Sequence, residues 1–112
     1  MASNMELTEA EAAKFWPVYD AYQADLGKLV NRTIALIKDY AANYESMTDM
    51  AADKLLTEML AIEKDRASLL NKYRDKFAAT VSARKVARYY QIENKIRAVV
   101  NYQLADEIPL VP

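Results

Sequence analysis

The chain has 112 residues, a net charge of −1, 53% hydrophobic and 28% charged residues, one glycine, three prolines, and neither cysteine nor histidine. Near-neutral charge excludes a global positive field drawing the protein to nucleic acid or anionic lipid. The missing residue types exclude a disulfide, a thiolate or imidazole metal site, a histidine-dependent triad and an imidazole pH switch. So few turn residues argue against a sandwich or barrel and for one all-α domain, 1–112, of a few long helices.

The first helix is expected over about 8–44. Thr8 can cap it, and Glu11 three residues later completes a capping box. Glu9 and Glu11 suit the positive end of the helix dipole. Phe15, Tyr19, Tyr22, Leu26, Leu29, Leu36, Tyr40 and Tyr44 then recur at alternating steps of four and three, with Thr33 as the one polar step. Pro17 lies inside this pattern and should bend the helix or set its first turn apart. "NYESMTDM" breaks the pattern around Ser46. A second helix, about 49–80, follows the cap Thr48, with a seam of Ala52, Leu55, Leu56, Met59, Ile62, Leu69, Leu70, Tyr73 and Phe77, interrupted by Arg66. "ATVSAR" makes the next break. A third helix, about 83–107, follows Ser82, with a seam of Val86, Tyr89, Tyr90, Ile92, Ile96, Val99 and Val100, which Gln103 can extend. Glu93 and Arg97 form a favourable pair four residues apart. Pro109 stops the helix, and residues 108–112 leave as an extended tail expected to pack Ile108 and Leu110 onto the helices.

Folding the first two helices antiparallel about Ser46 sets Phe15 against Phe77, Tyr19 against Tyr73, Thr33 against Met59 and Leu36 against Leu56. The mismatch is Leu26 facing Arg66, whose stem can lie along the apolar surface while its head reaches Asp25 or Asp65. The expected fold is therefore a long antiparallel helical hairpin plus a third helix. Helices of roughly 50, 45 and 35 Å at 1.5 Å per residue cannot cover both broad faces of such a layer. Trp16, Val30, Ile34 and Ile37 lie off the first seam and need the third helix or another subunit, so an elongated homodimer is expected.

No apolar run approaches the roughly 20 residues of a membrane span. There is no phosphate loop, nucleophile elbow or hard-cation loop, so an enzyme, a cofactor and a metal are not expected. Carboxylate pairs such as Glu9 with Glu11, or Asp49 with Asp53, read as helix-start charges. Lys72, Arg74, Lys76, Arg84, Lys85 and Arg88 gather at the second turn. There Arg84 and Lys85 oppose the helix dipole and are placed to meet an anion or an acidic segment, or to be neutralised by Glu6, Glu9, Glu11 and Asp20. Tyr89 and Tyr90 continue an inward seam, yet tyrosine can bury its ring body and keep its hydroxyl at a wet edge suited to protein contacts. A nucleic-acid stacking platform would need surrounding positive charge.

The stretch "LTEAEAAKFWPVYDAYQADL" resembles the start of the Spy/CpxP-like periplasmic proteins, which carry a Leu-Thr-x-x-Gln motif. Leu7 and Thr8 match, and Glu11 stands at the glutamine position with the same capping role. "SARKVARYYQIENKI" is similar to the place where these proteins begin their last helix, although a second copy of the motif is absent. The resemblance implies a secreted all-helical protein whose leader has been removed, related to ATP-independent chaperones and partners of envelope stress sensors that form antiparallel dimers. The expected function is therefore a periplasmic chaperone-like module holding unfolded protein on an apolar, Tyr-rich face. Its expected client-binding residues are Trp16, Val30, Ile34, Tyr89 and Tyr90, with a basic rim of Arg84, Lys85, Arg88 and Arg97. The alternatives are a regulatory partner of an envelope sensor and a structural dimer without clients.

Overall fold

The computed structural model describes residues 5–112. Among the described residues the fold is built on three long helices, α1 at Glu9–Asn43, α2 at Asp49–Ala78 and α3 at Ala83–Glu107, with a 3-10 turn at Tyr44–Ser46. α1 and α2 pack as an antiparallel hairpin, and there is no strand among the described residues.

Local chemistry sets the helix ends. At the start of α1 the Thr8 N–H donates to Glu11 Oε1 at 3.1 Å while the Glu11 N–H donates to Thr8 Oγ1 at 3.2 Å. This reciprocal capping box satisfies two of the N–H groups a helix start otherwise leaves open. Thr48 caps α2 through the Ala51 N–H at 3.1 Å, and Ser82 caps α3 through the Lys85 N–H at 3.4 Å. Neither turn contains glycine, so side chains help close the helices. The Asn43 amide donates to the Asp39 carbonyl at 2.8 Å as α1 ends. After α2, the Phe77 carbonyl accepts from the Thr80 N–H, the Val81 N–H and the Thr80 hydroxyl. That arrangement tucks Val81 into the core and frees Ser82 to cap α3.

Pro17 neither breaks α1 nor sets its first turn apart, since the helix runs unbroken from Glu9 through Pro17. Pro17 cannot donate to the Ala13 carbonyl. Both residues are exposed, so water can take the vacated acceptor.

The chain forms two compact units, Met1–Asp20 with Tyr73–Pro109 and Ala21–Lys72 with Leu110–Pro112. The first has an aromatic core. Met5, Phe15, Phe77 and Tyr89 are each 0% exposed, with Tyr73, Val81 and Val86 around them. Phe15 packs on Phe77 at 5.3 Å between ring centroids, as the hairpin register requires, and on Tyr89 at 5.4 Å. Phe77 and Tyr89 lie 4.9 Å apart. Such pairs contribute roughly 0.5–1.5 kcal/mol each beyond their buried area.

The second unit is thinner. Its buried side chains are Tyr22, Leu29 and Ile62, all on the expected seam. Leu56 and Met59, also expected on that seam, are about half exposed. Two helices bury one stripe apiece, and a seam as wide as the sequence suggests cannot all fit within it. On α3 the inward stripe is Val86, Tyr89, Glu93, Arg97 and Leu104, all buried or half-buried. Ile96, Val99 and Val100, expected on the seam, are exposed instead. The tail also departs from expectation: Ile108 is half-buried, but Leu110 is 90% exposed. The last helical bond runs from the Ile108 N–H to the Leu104 carbonyl, and Pro109 has no N–H with which to continue it.

Candidate binding surfaces

In the second unit the hairpin is two-faced, and the sequence encodes this simply. Let the seam be Leu26, Leu29, Thr33 and Leu36 on α1, and Leu55, Met59, Ile62, Arg66, Leu69 and Tyr73 on α2. In an antiparallel pair of right-handed helices, positions one residue before the seam share one side, and positions one residue after it share the other. The residues before include Asp25, Lys28, Arg32, Lys54, Glu58, Asp65 and Lys72. The residues after include Val30, Ile34, Ile37, Leu56, Leu60 and Leu70.

The polar side is stitched together. Arg32 Nη2 lies 2.9 Å from Glu58 Oε1, and Arg32 Nη1 lies 2.5 Å from Asp65 Oδ2. Asp25 sits 3.7 Å from Lys28 and 3.9 Å from Lys72. Hydrogen bonds that Arg32 donates to Asp65 first, and then to Glu58, raise its pKa above the ordinary value. Toward the hairpin turn this side opens into a groove of about 870 Å³ lined by Arg32, Leu36, Asp39, Asn43, Lys54 and Glu58 among others. The other side exposes Val30, Ile34, Leu56 and Leu60, with Glu63 among them, and Met59 of the seam is exposed as well.

In the first unit the expected basic rim is largely tied down. Lys85 Nζ lies 2.6 Å from Glu11 Oε1 and donates to the Glu6 carbonyl at 3.0 Å. Glu6 has φ 52, a left-handed backbone uncommon for a non-glycine residue. Arg88 stands 3.9 Å from the Glu6 carboxylate. The Lys85 hydrogen bond, with the Thr8 N–H second, lowers the Glu11 pKa. Lys76 sits over the Tyr73 ring at 4.8 Å. Arg84 remains exposed, and Arg97 is half-buried.

Tyr89 belongs to the core. Its ring is fully buried among Phe15, Phe77 and Tyr19, and its hydroxyl donates to Glu93 Oε1 at 2.9 Å, so it offers no surface to a client. Tyr90 is half-buried, with its ring edge-on to Phe77 and its pKa raised by burial against the opposing effect of Arg74. Trp16 is half-buried, edge-on to Phe15 at 5.0 Å and to Tyr19 at 5.1 Å. Of the nine expected residues, Val30 and Ile34 lie in the second unit and the other seven in the first. Sequence reasoning missed Leu56, Met59 and Leu60 as surface residues, and the signal that finds Leu56 and Leu60 is their place one residue after the seam.

Among the described residues no group of three or more His, Cys, Asp or Glu is arranged to hold a metal ion, and no helix is long and apolar enough to cross a membrane. No protein-family profile, curated protein or solved structure matches the chain.

Proposed function

We propose that this protein is a periplasmic, ATP-independent binding module of chaperone type, which holds unfolded or partly folded protein segments on the apolar side of the second unit. The observation that carries this reading is the two-faced hairpin, with Val30, Ile34, Leu56 and Leu60 exposed on one side and the ion pairs of Arg32 with Glu58 and Asp65 on the other. Exposed apolar groups of this kind on a charged helical scaffold suit weak, reversible contact with unfolded chains. Methionine and branched aliphatic side chains adapt to many partners. Exposed Arg84 and Arg88 are suited to steer acidic segments during encounter. The resemblance carried by Leu7, Thr8 and Glu11 supports the compartment and the class, and the Thr8–Glu11 capping box gives Glu11 the capping role assigned to it from the sequence. Two copies acting together belong to the same proposal.

The test is suppression of client aggregation without nucleotide. Val30→Asp with Ile34→Asp should abolish most of the suppression while helix content is retained. Arg84→Glu with Arg88→Glu should lower its rate and weaken its salt dependence. Full activity in the first pair would overturn the assignment of the surface. A single saturable partner, with no general antiaggregation effect, would point instead to a regulatory partner of an envelope sensor.

A further inference from the structure

The chain has no cysteine, so its methionines carry its only sulfur nucleophiles. Their thioethers sit in very different surroundings. Met5 is 0% exposed in the aromatic core of the first unit, whereas in the second Met47 is half-buried, Met59 is 46% exposed and Met50 is 83% exposed. Met50 lies by the hairpin turn and lines the groove of the polar side. Met59 lies on the seam at the edge of the apolar side. Leu55 and Leu56 precede it by four and three residues and Ile62 follows by three, so its neighbours one turn away are aliphatic apart from Glu63. A leucine would fill this place with nearly the same volume. What the thioether adds is a sulfur that a peroxide can reach.

We propose that Met59 is a reversible oxidation site, whose sulfoxide switches off the apolar side of the second unit. The oxidant is a peroxide supplied from outside. The Met59 sulfur attacks one peroxide oxygen, and the S–O bond forms as the O–O bond breaks. The departing oxygen leaves as water with both protons of hydrogen peroxide. Sulfur loses two electrons, and these reduce the peroxide. The product sets an S=O dipole beside Leu56 and Leu60, and an apolar segment can cover it only by stripping that oxygen of water. In the free protein the half-exposed side chain keeps the oxygen hydrated, so the hairpin stays folded. Met5 is the contrast, since a sulfoxide there needs the ring core to open first. A thiol-dependent methionine sulfoxide reductase reverses the step. The loss of client holding rests on the function proposed above, whereas the site rests on exposure and neighbours alone.

The experiment exposes the full chain to hydrogen peroxide in a time course and locates sulfoxide by peptide mass spectrometry. Binding of an apolar dye, client holding and helix content are read on the same samples. Met50→Leu, Met59→Leu and Met59→Gln chains run alongside, the last with a permanent polar group in place of the sulfoxide. Met50 and Met59 should oxidise well before Met5, which should need urea. Dye binding and client holding should each fall about fourfold in the wild type and in Met50→Leu, the factor that losing one buried methylene's contact gives, with helix content unchanged. Both should persist under peroxide in Met59→Leu and start low in Met59→Gln. Both should return when the oxidised wild type meets the reductase and dithiothreitol. Equal losses in the wild type and Met59→Leu overturn the site, as does a Met5 that oxidises as fast as Met59. Intact dye binding in a wild type fully oxidised at Met59 overturns the switch. An unoxidised chain that holds no client overturns the proposed function alone, and the dye then still decides this inference.

Discussion

Glu11 does two jobs at once, closing the capping box with Thr8 and anchoring Lys85. Its pKa is lowered chiefly by the Lys85 hydrogen bond. A carboxylate whose folded pKa is depressed contributes stability above its unfolded pKa, and that contribution is lost as pH falls through the folded value. The chain should therefore lose stability below about pH 4.5, the ordinary value of this group, and Glu11→Gln should flatten that part of the profile. Urea midpoints measured from neutral pH into acid check this, the glutamine variant keeping a capping side chain. Phe77, fully buried against Phe15 and Tyr89, should cost about 3–5 kcal/mol on Phe77→Ala, read from denaturant melts. Gly27 is the opposite case. It sits inside α1 with nothing within 4 Å of where a Cβ would lie. Gly27→Ala should stabilise by roughly 0.5–1 kcal/mol, because alanine loses less backbone freedom on entering a helix.

At the level of elements, the caps at Thr8, Thr48 and Ser82 were legible because an N-cap is a local matter of one oxygen and one N–H three residues on. The Phe15–Phe77 pairing was legible too, since the turn at Ser46 and the seam phases fix the register together. The width of the buried stripe was not legible. Leu56 and Met59 on α2, and Ile96 and Val99 on α3, satisfy the spacing of a seam, but burial depends on how much surface a neighbouring helix supplies. The same limit hid Tyr89, which sequence alone allowed either as core or as wet edge until its ring neighbours Phe15, Tyr19 and Phe77 and its bond to Glu93 were placed. The ion pairs on the polar side of the hairpin are partly exposed, so each is worth at most about 1 kcal/mol. A double-mutant cycle between Arg32→Ala and Glu58→Ala should return a coupling of about 0.5–1 kcal/mol that shrinks in salt.

For the molecule as a whole, the two units differ in what holds them. Interlocked rings fill the first, whereas a single narrow stripe of Tyr22, Leu29 and Ile62 holds the second. Local opening follows the density of buried contacts. Amides of α2 around Leu55–Leu60 should accordingly exchange faster than those around Tyr73–Phe77, as hydrogen-exchange mass spectrometry can resolve. Trp16, the only tryptophan of the chain, stands edge-on to Phe15 and Tyr19 within the ring cluster. Its fluorescence is thus a built-in reporter of one half of the protein and blind to events near the hairpin tip. Emission and far-ultraviolet ellipticity recorded during the same melt would come apart whenever the tip loosens first.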